Sequence, residues 1–578
     1  MHIIGIDLGT TNSELAVVRD GQVEVIEIDG SRLLPSVVGL ADDGALLVGQ
    51  AARNQYTLYP ERTVRSIKRR MGEDVKIALG DRSYTPREIS ALILRRLRQA
   101  AEQHLGEPVS RAVITVPAYF SDAQRQATRD AGELAGLEVV RIINEPTAAA
   151  LAYESGHVGS RNILVYDLGG GTFDVSVVRL TRDVTEVLAS HGNNRLGGDD
   201  FDARLVEHLL QQIQDRHAVD LASNRAAMAR LQRTAEAAKI TLSDAPYAEV
   251  REEYLFEHGG QPIHLSTEIA RTDYEALIAA YADETLDAVH ITLAGAGLTV
   301  SDLDEVLLVG GATRTPLIRQ RLEEVLGMAP RQEIDPELCV ATGAAIQAAV
   351  IAGQQVNRVL VDVTPYTFGT NAWSELDGQM YPFTFVPLIH KNTPIPVTKS
   401  EAFRTIDDGQ TAIDVRVFQG ENADALENTE IGSFRIEGLS DVPAGNVIVT
   451  TFALDVDGIL HVSSREKRTG LEKRIRIENA TARFAEEELG AARARLAALI
   501  DGEAELTEDP APSASRTTVQ AQALVEKAER LLGEANPEDR EDLVDHIEAV
   551  RDALTADDSE ALRQAVDALS DLVFYLES

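Results

Sequence analysis

The chain has 578 residues, and 93 acidic against 55 basic side chains give it a formal net charge of −38. That length predicts several domains with ample apolar material for cores, while the charge argues against nucleic acid or an anionic membrane as a main partner. The one cysteine, Cys339, has no internal disulfide partner and lies in the apolar stretch LCVATGAAIQAAV, so a buried structural thiol in a reducing cytosol is expected.

In IIGIDLGTTNSELAVV (3–18) an apolar run ends in Asp7, followed by Leu-Gly, small residues, Glu14 and a closing Val-Val. This predicts strand, tight turn, strand, with no room for a signal-peptide core before Asp7. Nor does any run of about 18 apolar residues predict a membrane span. A near-copy, ILVYDLGGGTFDVSVV (163–178), places Asp167 and Asp174 at the matching positions. One Gly-rich hairpin is a weak signal by itself. A pair, each with unpaired N–H groups and a carboxylate, suits the two sides of a metal-bound polyphosphate.

Between the copies, the helical pattern ALILRRLRQAAEQHL (91–105) precedes the β-rich RAVITVPAYF (111–120), an α/β alternation that continues to about residue 353. TAEAAKITLS (234–243) sets Glu236, Lys239 and Ser243 on one helix face, and EVLLVGGATRTP (305–316) holds a third Gly turn. Residues 354–363 read as a linker. Alternation of period two then runs to 479, with Ile413, Val415 and Val417 on one face and Asp457-Gly458 as a hairpin turn. From 480 to 578 the composition turns to Ala, Glu and Leu with helical period, broken by TEDPAPSASRTT (507–518). Those apolar stripes are packing surfaces. No G-x-x-x-x-G-K-[ST] occurs and no G-x-G-x-x-G follows a strand, which removes the P-loop and Rossmann readings.

IDLGTTNS (6–13), VPAYFSDAQRQAT (116–128), INEPTAAALAY (143–153), DLGGGTFDVSVV (167–178), LGGDDFD (196–202) and VGGATRTP (309–316) resemble the seventy-kilodalton heat-shock chaperones, the DnaK family, over residue 3 to about 480. The short helical end and DVTPYTFG (362–369) are similar to the HscC type of bacterial chaperone. The resemblance implies an actin-like two-lobed α/β ATPase domain (1–353), a linker (354–363), a β-sandwich peptide-binding domain (364–479) and a short helical lid (480–578). It implies a cytoplasmic ATPase that binds and releases extended hydrophobic peptides under slow Mg-ATP hydrolysis. ATP/ADP and Mg²⁺ are the implied cofactors, with K⁺ a further candidate ion. A J-domain cochaperone and a nucleotide-exchange factor are the implied partners.

The same resemblance assigns roles to residues. Gly9, Thr10, Thr11 and Asn12 would wrap the phosphates from one lobe, and Gly169, Gly170, Gly171 and Thr172 from the other, beside Gly197. Asp7 and Asp167 would hold Mg²⁺ through its waters. Lys68 would reach the γ-phosphate and the attacking water, Glu145 and Asp174 would order water and ions, and Thr172 would offer its hydroxyl. Glu236, Lys239 and Ser243 would contact ribose and adenine, opposite a wall of Gly310, Gly311 and Arg314, with Glu337 in place of a usual Asp. Thr370, Trp373, Phe403, Ile406, Ile413 and Val415 match the peptide cleft, although Phe403 and Val415 suit a sandwich core equally well. Thr370 in place of an aliphatic, with bulky Trp373 and Ile406, implies a reshaped cleft and a restricted client range. Pro117, Arg125, Arg141, Asn144 and Asp362 match the coupling route, Arg141 and Asn144 also lying where J-domains engage, and Arg358 breaks the linker's hydrophobic pattern. The alternative is a nucleotide-gated holdase or regulatory peptide binder with little turnover. A small-molecule kinase would leave the β domain and lid without a purpose, and an actin-like filament former would polymerise with nucleotide.

Overall fold

The computed structural model describes residues 2–153, 159–182, 184–259, 261–331, 335–354, 359–476, 486–504, 524–525, 528, 537–556 and 559–577. Arg358 and the 507–518 break lie outside them.

The repeated phrase folds into a repeated structure. In lobe I, β1 (Ile4–Asp7), β2 (Asn12–Arg19) and β3 (Gln22–Val25) form an antiparallel meander, and β4 (Arg111–Val116) and β5 (Glu138–Asn144) extend it in parallel beyond β1. Lobe II repeats the plan with β6 (Arg161–Leu168), β7 (Phe173–Leu180) and β8 (Val184–Asn193). Its outer hairpin is β9 (Tyr247–His258) with β10 (Gln261–Ala270), and β11 (Glu305–Val309) runs parallel to β6. The register is conserved between the lobes: Asp7 stands opposite Glu14, and Asp167 opposite Asp174. These central strands are buried on both faces, which is why they read as continuous apolar runs.

Helices cover both sheets. Lobe I carries α1 (Pro86–Leu105) and α2 (Asp122–Leu134), whose starts are fixed by capping boxes at Thr85 with Glu88 and Ser121 with Gln124. Then come α3 (Glu145–Ala152), α4 (Gly198–His217), α5 (Arg225–Asp244), α6 (Arg271–Gly295) and α7 (Cys339–Ile351). Between the lobes α3 and α7 pack together, and a Cβ on Gly343 would fall 1.7 Å from the Ala148 carbonyl oxygen, so no larger residue fits there. Cys339 is buried in that central core.

Within the segment expected to be a linker, residues 359–363 form a strand. Here β12 (Val359–Val363) pairs in parallel with β8 and so joins the lobe II sheet. After it come two four-stranded antiparallel sheets, built from β13 (Phe368–Leu376), β14 (Gln379–Ile389), β15 (Val397–Arg404), β16 (Ala412–Gln419), β17 (Thr429–Glu437), β18 (Val447–Leu454), β19 (Leu460–Glu466) and β20 (Glu472–Arg476). Their orders are β14-β13-β16-β17 and β15-β18-β19-β20. One core, with Phe368, Val417 and Ile436 from the first sheet and Phe452, Leu460 and Val462 from the second, serves both. Asp457-Gly458 sits at the β18–β19 turn, with Gly458 at φ 76°.

The helical end packs on the lobes. In α8 (Glu486–Ala504), Leu496 and Leu499 enter the lobe I core, and Arg495 donates to the fully buried Glu88 carboxylate at 2.8 Å. Beyond it, α9 (Pro537–Ala556) pairs with α10 (Ser559–Glu577), which lies against β9. Among the described residues, no helix is long and apolar enough to cross a membrane.

Candidate functional site

A cavity of about 650 Å³ separates the two Asp-bearing turns. Asp7, Gly9, Thr10, Thr11 and Asn12 line it from lobe I, and Asp167, Gly169, Gly170 and Thr172 from lobe II. The turns approach so closely that a Cβ on Gly170 would lie 1.9 Å from Thr11 Oγ1. Each is fixed from behind. The Ser36 hydroxyl donates to the Gly9 carbonyl at 2.8 Å, and the Gly198 and Asp199 amides donate to the Gly169 and Gly170 carbonyls at 2.9 and 2.7 Å. Gly197 lies behind the second turn, where a Cβ would meet the Gly170 backbone at 2.6 Å, and a Cβ on Gly171 would fall 2.5 Å from Thr10 Cγ2.

The cavity floor is a buried charge cluster. Lys68 donates to Glu145 at 2.5 Å, with both side chains almost wholly enclosed. Thr115 donates to Asp7 at 2.8 Å. Burial pushes the Glu145 carboxyl up to about 7 against the pull of Lys68, with Asp7 adding to the rise. Burial, then the neighbouring carboxylates, push Asp167 well above the usual range; Asp174 rises for the same first reason, and Glu14 through burial and Asp7. Burial disfavours the Lys68 ammonium, but Glu145, Asp7 and Asp167 together raise its pKa. Asp174 stands one layer behind the cavity, where it accepts from the Ala118 and Tyr119 amides at 3.1 Å each.

The far end of the cavity is lined by α5 and the Gly310–Arg314 turn. Gly310 has φ 81°, and a Cβ there would lie 2.4 Å from the Leu168 carbonyl oxygen. Arg314 ion-pairs with Asp335 at 3.0 Å and Glu337 at 3.2 Å. Ser243 lines the cavity too, its hydroxyl donating back to the Lys239 carbonyl at 3.2 Å. Lys239 and Glu236 line the same space but already hold partners: Lys239 binds Asp202 and the Gly198 carbonyl, and Glu236 pairs with Arg53 at 2.7 Å. That last bond joins lobe I to lobe II across the mouth. Neither Arg53 nor Ile240, whose half-exposed side chain lines the cavity, was singled out in the sequence, because an isolated Arg or Ile there carries no motif.

These features converge on one family. The Hsp70 protein family profile matches residues 3–78 and 74–577. This chain belongs to the Hsp70 family. Proteins named "Chaperone protein DnaK" from Thermotoga neapolitana, Thermotoga petrophila and Thermotoga maritima are each 48% identical to it over 480 residues, covering 82% of this chain and 79% of each relative.

An Hsp70 is expected to hold ATP with Mg²⁺, and the donor set fits both. Thr11 Oγ1 is buried without a hydrogen-bond partner, and the glycines let the two turns approach closer than any Cβ would allow. Asp7, Asp167 and Glu145 crowd together with Lys68 as their cation, an arrangement that a divalent ion relieves. Among the described residues no group of three His, Cys, Asp or Glu side chains is placed to hold a metal by itself.

A hydrogen-bond chain leads out of the cleft. Asp174 holds the Ala118 and Tyr119 amides, and the Ala118 carbonyl accepts from Arg125 at 3.0 Å. Arg125 donates to Asn144 at 2.7 Å, and Asn144 donates to Asp362 on β12 at 2.9 Å, with Thr147 adding a 3.1 Å bond. Pro117 opens this loop, its carbonyl accepting from Phe120 at 3.1 Å. Asp457, at the far hairpin, accepts from the Ile142 amide at 3.0 Å and pairs with Arg129 and, at 3.7 Å, Arg141. Arg141 thus faces the β-sheet part in this arrangement.

On those sheets Thr370 is buried, donating to the Arg416 carbonyl at 2.7 Å, and Val415 lies in the shared core. Phe403 and Ile413 are part-buried. Trp373 and Ile406 are more than half exposed, at 51% and 54%, as is Met380.

Proposed function

We propose that the two turns grip the phosphates of Mg-ATP and that this Hsp70 couples its slow hydrolysis to capture and release of extended apolar peptides. As an Hsp70 the chain is an ATP-dependent molecular chaperone and an ATPase. What supports the coupled reading is the unbroken chain from Asp174 to Asp362: a change at the cleft carboxylates has a bonded route to the strand that leads into the β-sheets. Bound Mg²⁺ would supply charge neutralisation at the phosphates. In this reading Thr10, Thr11, Asn12 and the Gly169–Gly171 turn hold the phosphates, and Asp7 and Asp167 carry the ion through waters. Lys68, aimed by Glu145, offers its ammonium where negative charge develops, and Thr172 gives its hydroxyl to the same oxygens. Ser243, Arg314 and Ile240 form the nucleoside wall, which takes Glu236 and Lys239 only through their present ion pairs.

We assign residues 1–353 to the ATPase domain, 354–363 to the linker, 364–479 to a peptide-binding sandwich and 480–578 to a helical lid; the short lid underlies the HscC-type reading. Exposed Trp373 and Ile406 supply the client contact, Thr370 and Val415 support it from the core, and the bulk of the two exposed residues restricts the clients. A J-domain cochaperone, an exchange factor and a cytoplasmic setting complete the proposal.

Trp373 is the chain's only tryptophan, so its emission reports on the cleft directly. The test is ATP-triggered release of a fluorescent apolar peptide, comparing the parent with Thr172→Ala. Rapid release lost in the variant supports coupled binding. Peptide held regardless of ATP sinks the coupling and leaves a holdase. A panel of unrelated apolar peptides bound with equal affinity would remove the restricted range.

A further inference from the structure

A second cavity, of about 300 Å³, adjoins the cleft. Thr10 and Thr11 of the lobe I turn and Glu236 and Ile240 of α5 line both spaces, so the two meet at the turn that faces the phosphates. Val37, Tyr56 and Ile240 give the second cavity apolar walls, and its charged lining is Arg53, Arg65 and Arg233 against Glu236. In a chain of net charge −38 this is a local surplus of positive charge. Walls of low dielectric concentrate the field of such a cluster on whatever enters.

The arginines are not equally engaged. Arg53 holds Glu236 at 2.7 Å. Arg233 reaches Glu252 at 3.2 Å, but that carboxylate already takes Arg230 at 2.6 Å. Arg65 forms no ion pair among the described residues; it is half-buried, with its guanidinium 5.4 Å from the centre of the Tyr56 ring. Asp199 acts on its charge from farther off, while the Asp199 carboxylate accepts from the Ser66 hydroxyl at 2.6 Å. One short segment places both cations. Ser66 takes a left-handed φ of 53° and turns the chain between Arg65 and Lys68, so that Lys68 lines the cleft and Arg65 the cavity beside it. We infer that this cavity is a second phosphate subsite, apart from the place of the nucleotide's own phosphates, and that it takes inorganic phosphate, the product that ATP hydrolysis frees at its threshold. Arg65 supplies the charge-assisted contact, which a planar guanidinium without a carboxylate partner is suited to make with an oxyanion.

This inference rests on the cleft being the ATP site, and the test tells their failures apart. The full-length chain is saturated with Mg²⁺ and the β,γ-imido analogue of ATP, whose own terminal phosphate keeps the cleft filled, and is dialysed to equilibrium against radiolabelled inorganic phosphate. The parent should bind about one phosphate per chain. Arg65→Gln should bind it about tenfold more weakly, the loss expected when one charge-assisted contact is removed, and Arg65→Lys should recover most of the affinity. Arg233→Gln, at a half-exposed side chain, should weaken it about threefold and serves where Arg65→Gln does not fold. Parent-like binding of the analogue shows that a variant is folded. No phosphate on the analogue-loaded parent overturns the subsite, even if the ADP-loaded parent binds one, because that phosphate would sit in the cleft. Phosphate bound as tightly by the folded variants as by the parent overturns it too. A parent that fails to bind the analogue at all overturns the cleft assignment, and the subsite falls with it.

Discussion

Lys68 shows how far a single residue's meaning depends on its surroundings. In the sequence it is one cation in the basic stretch TVRSIKRRMG; in the fold it is the cation bonded to Glu145 in a nest of carboxylates. Its replacement, Lys68→Ala, removes the ammonium proposed to meet developing charge and should lower single-turnover ATP hydrolysis about a hundredfold or more, with nucleotide binding retained. Parent-like turnover in that variant would strike out its role. His191 makes a second case. Burial, helped by Lys391 with its ammonium 3.4 Å away, lowers its pKa to about 4, and the Tyr119 ring meets it edge-on. Lys391 belongs to the β-sheet part, so this environment exists only while that part is docked. The undocked imidazole takes its proton near pH 6.5 and the docked one not until about pH 4, so docking weakens as pH falls through that window. Protection of residues 354–363 from protease in the presence of ATP should decline over that range in the parent and stay flatter in His191→Asn.

At the scale of elements, β12 is the informative case. Its sequence is an apolar dash ending before Pro365, which reads as a connector, yet its Val359–Val361 backbone completes a ladder with Val184–Glu186. An edge strand such as β8 offers a row of unpaired N–H and C=O groups, and a connector of β-branched residues satisfies them. Asp362 then accepts from Asn144 and Thr147 while burial raises its pKa. In Asp362→Ala the Asn144 amide loses its acceptor, so ATP should no longer accelerate peptide release although both activities persist separately. Release as fast as in the parent would show that the strand pairing alone carries the signal. The Asp457-Gly458 turn teaches a related lesson. Its dipeptide predicts a hairpin and one forms, but the Asp457 carboxylate also reaches Arg129, Arg141 and the Ile142 amide of lobe I.

For the molecule as a whole, the contacts that hold the β-sheets and helices onto the lobes include the β12 ladder, the Asp457 latch with the neighbouring Leu460 amide on Asp122, and α8 on the lobe I core. Removing the middle one in Asp457→Ala leaves two arginines without their carboxylate. The docked arrangement should lose a few kcal/mol, seen as a larger radius of gyration in solution scattering with ATP and as slower ATP-triggered peptide release. An unchanged radius would mean that the ladder and α8 suffice. The position of α8, with Arg495 on Glu88, keeps that helix on lobe I rather than over the exposed Trp373 and Ile406.

The sequence by itself determined the duplicated turn, its two aspartates and its glycines, and the α/β-then-β-then-helical order. Local rules suffice for these, because glycine placement, period-two alternation and helical period are each written within about ten residues. Only the tertiary structure decided which partners those residues keep. Lys239 on Asp202, Glu236 on Arg53, Arg314 on Asp335 and Glu337, and Arg141 on Asp457 are pairs separated by 21 to 316 positions, and nothing in a local pattern selects one carboxylate among 93. Folding makes that choice by bringing distant complements together, and for Lys239 with Asp202 and Arg141 with Asp457 it also encloses them, where an unpaired charge is costly.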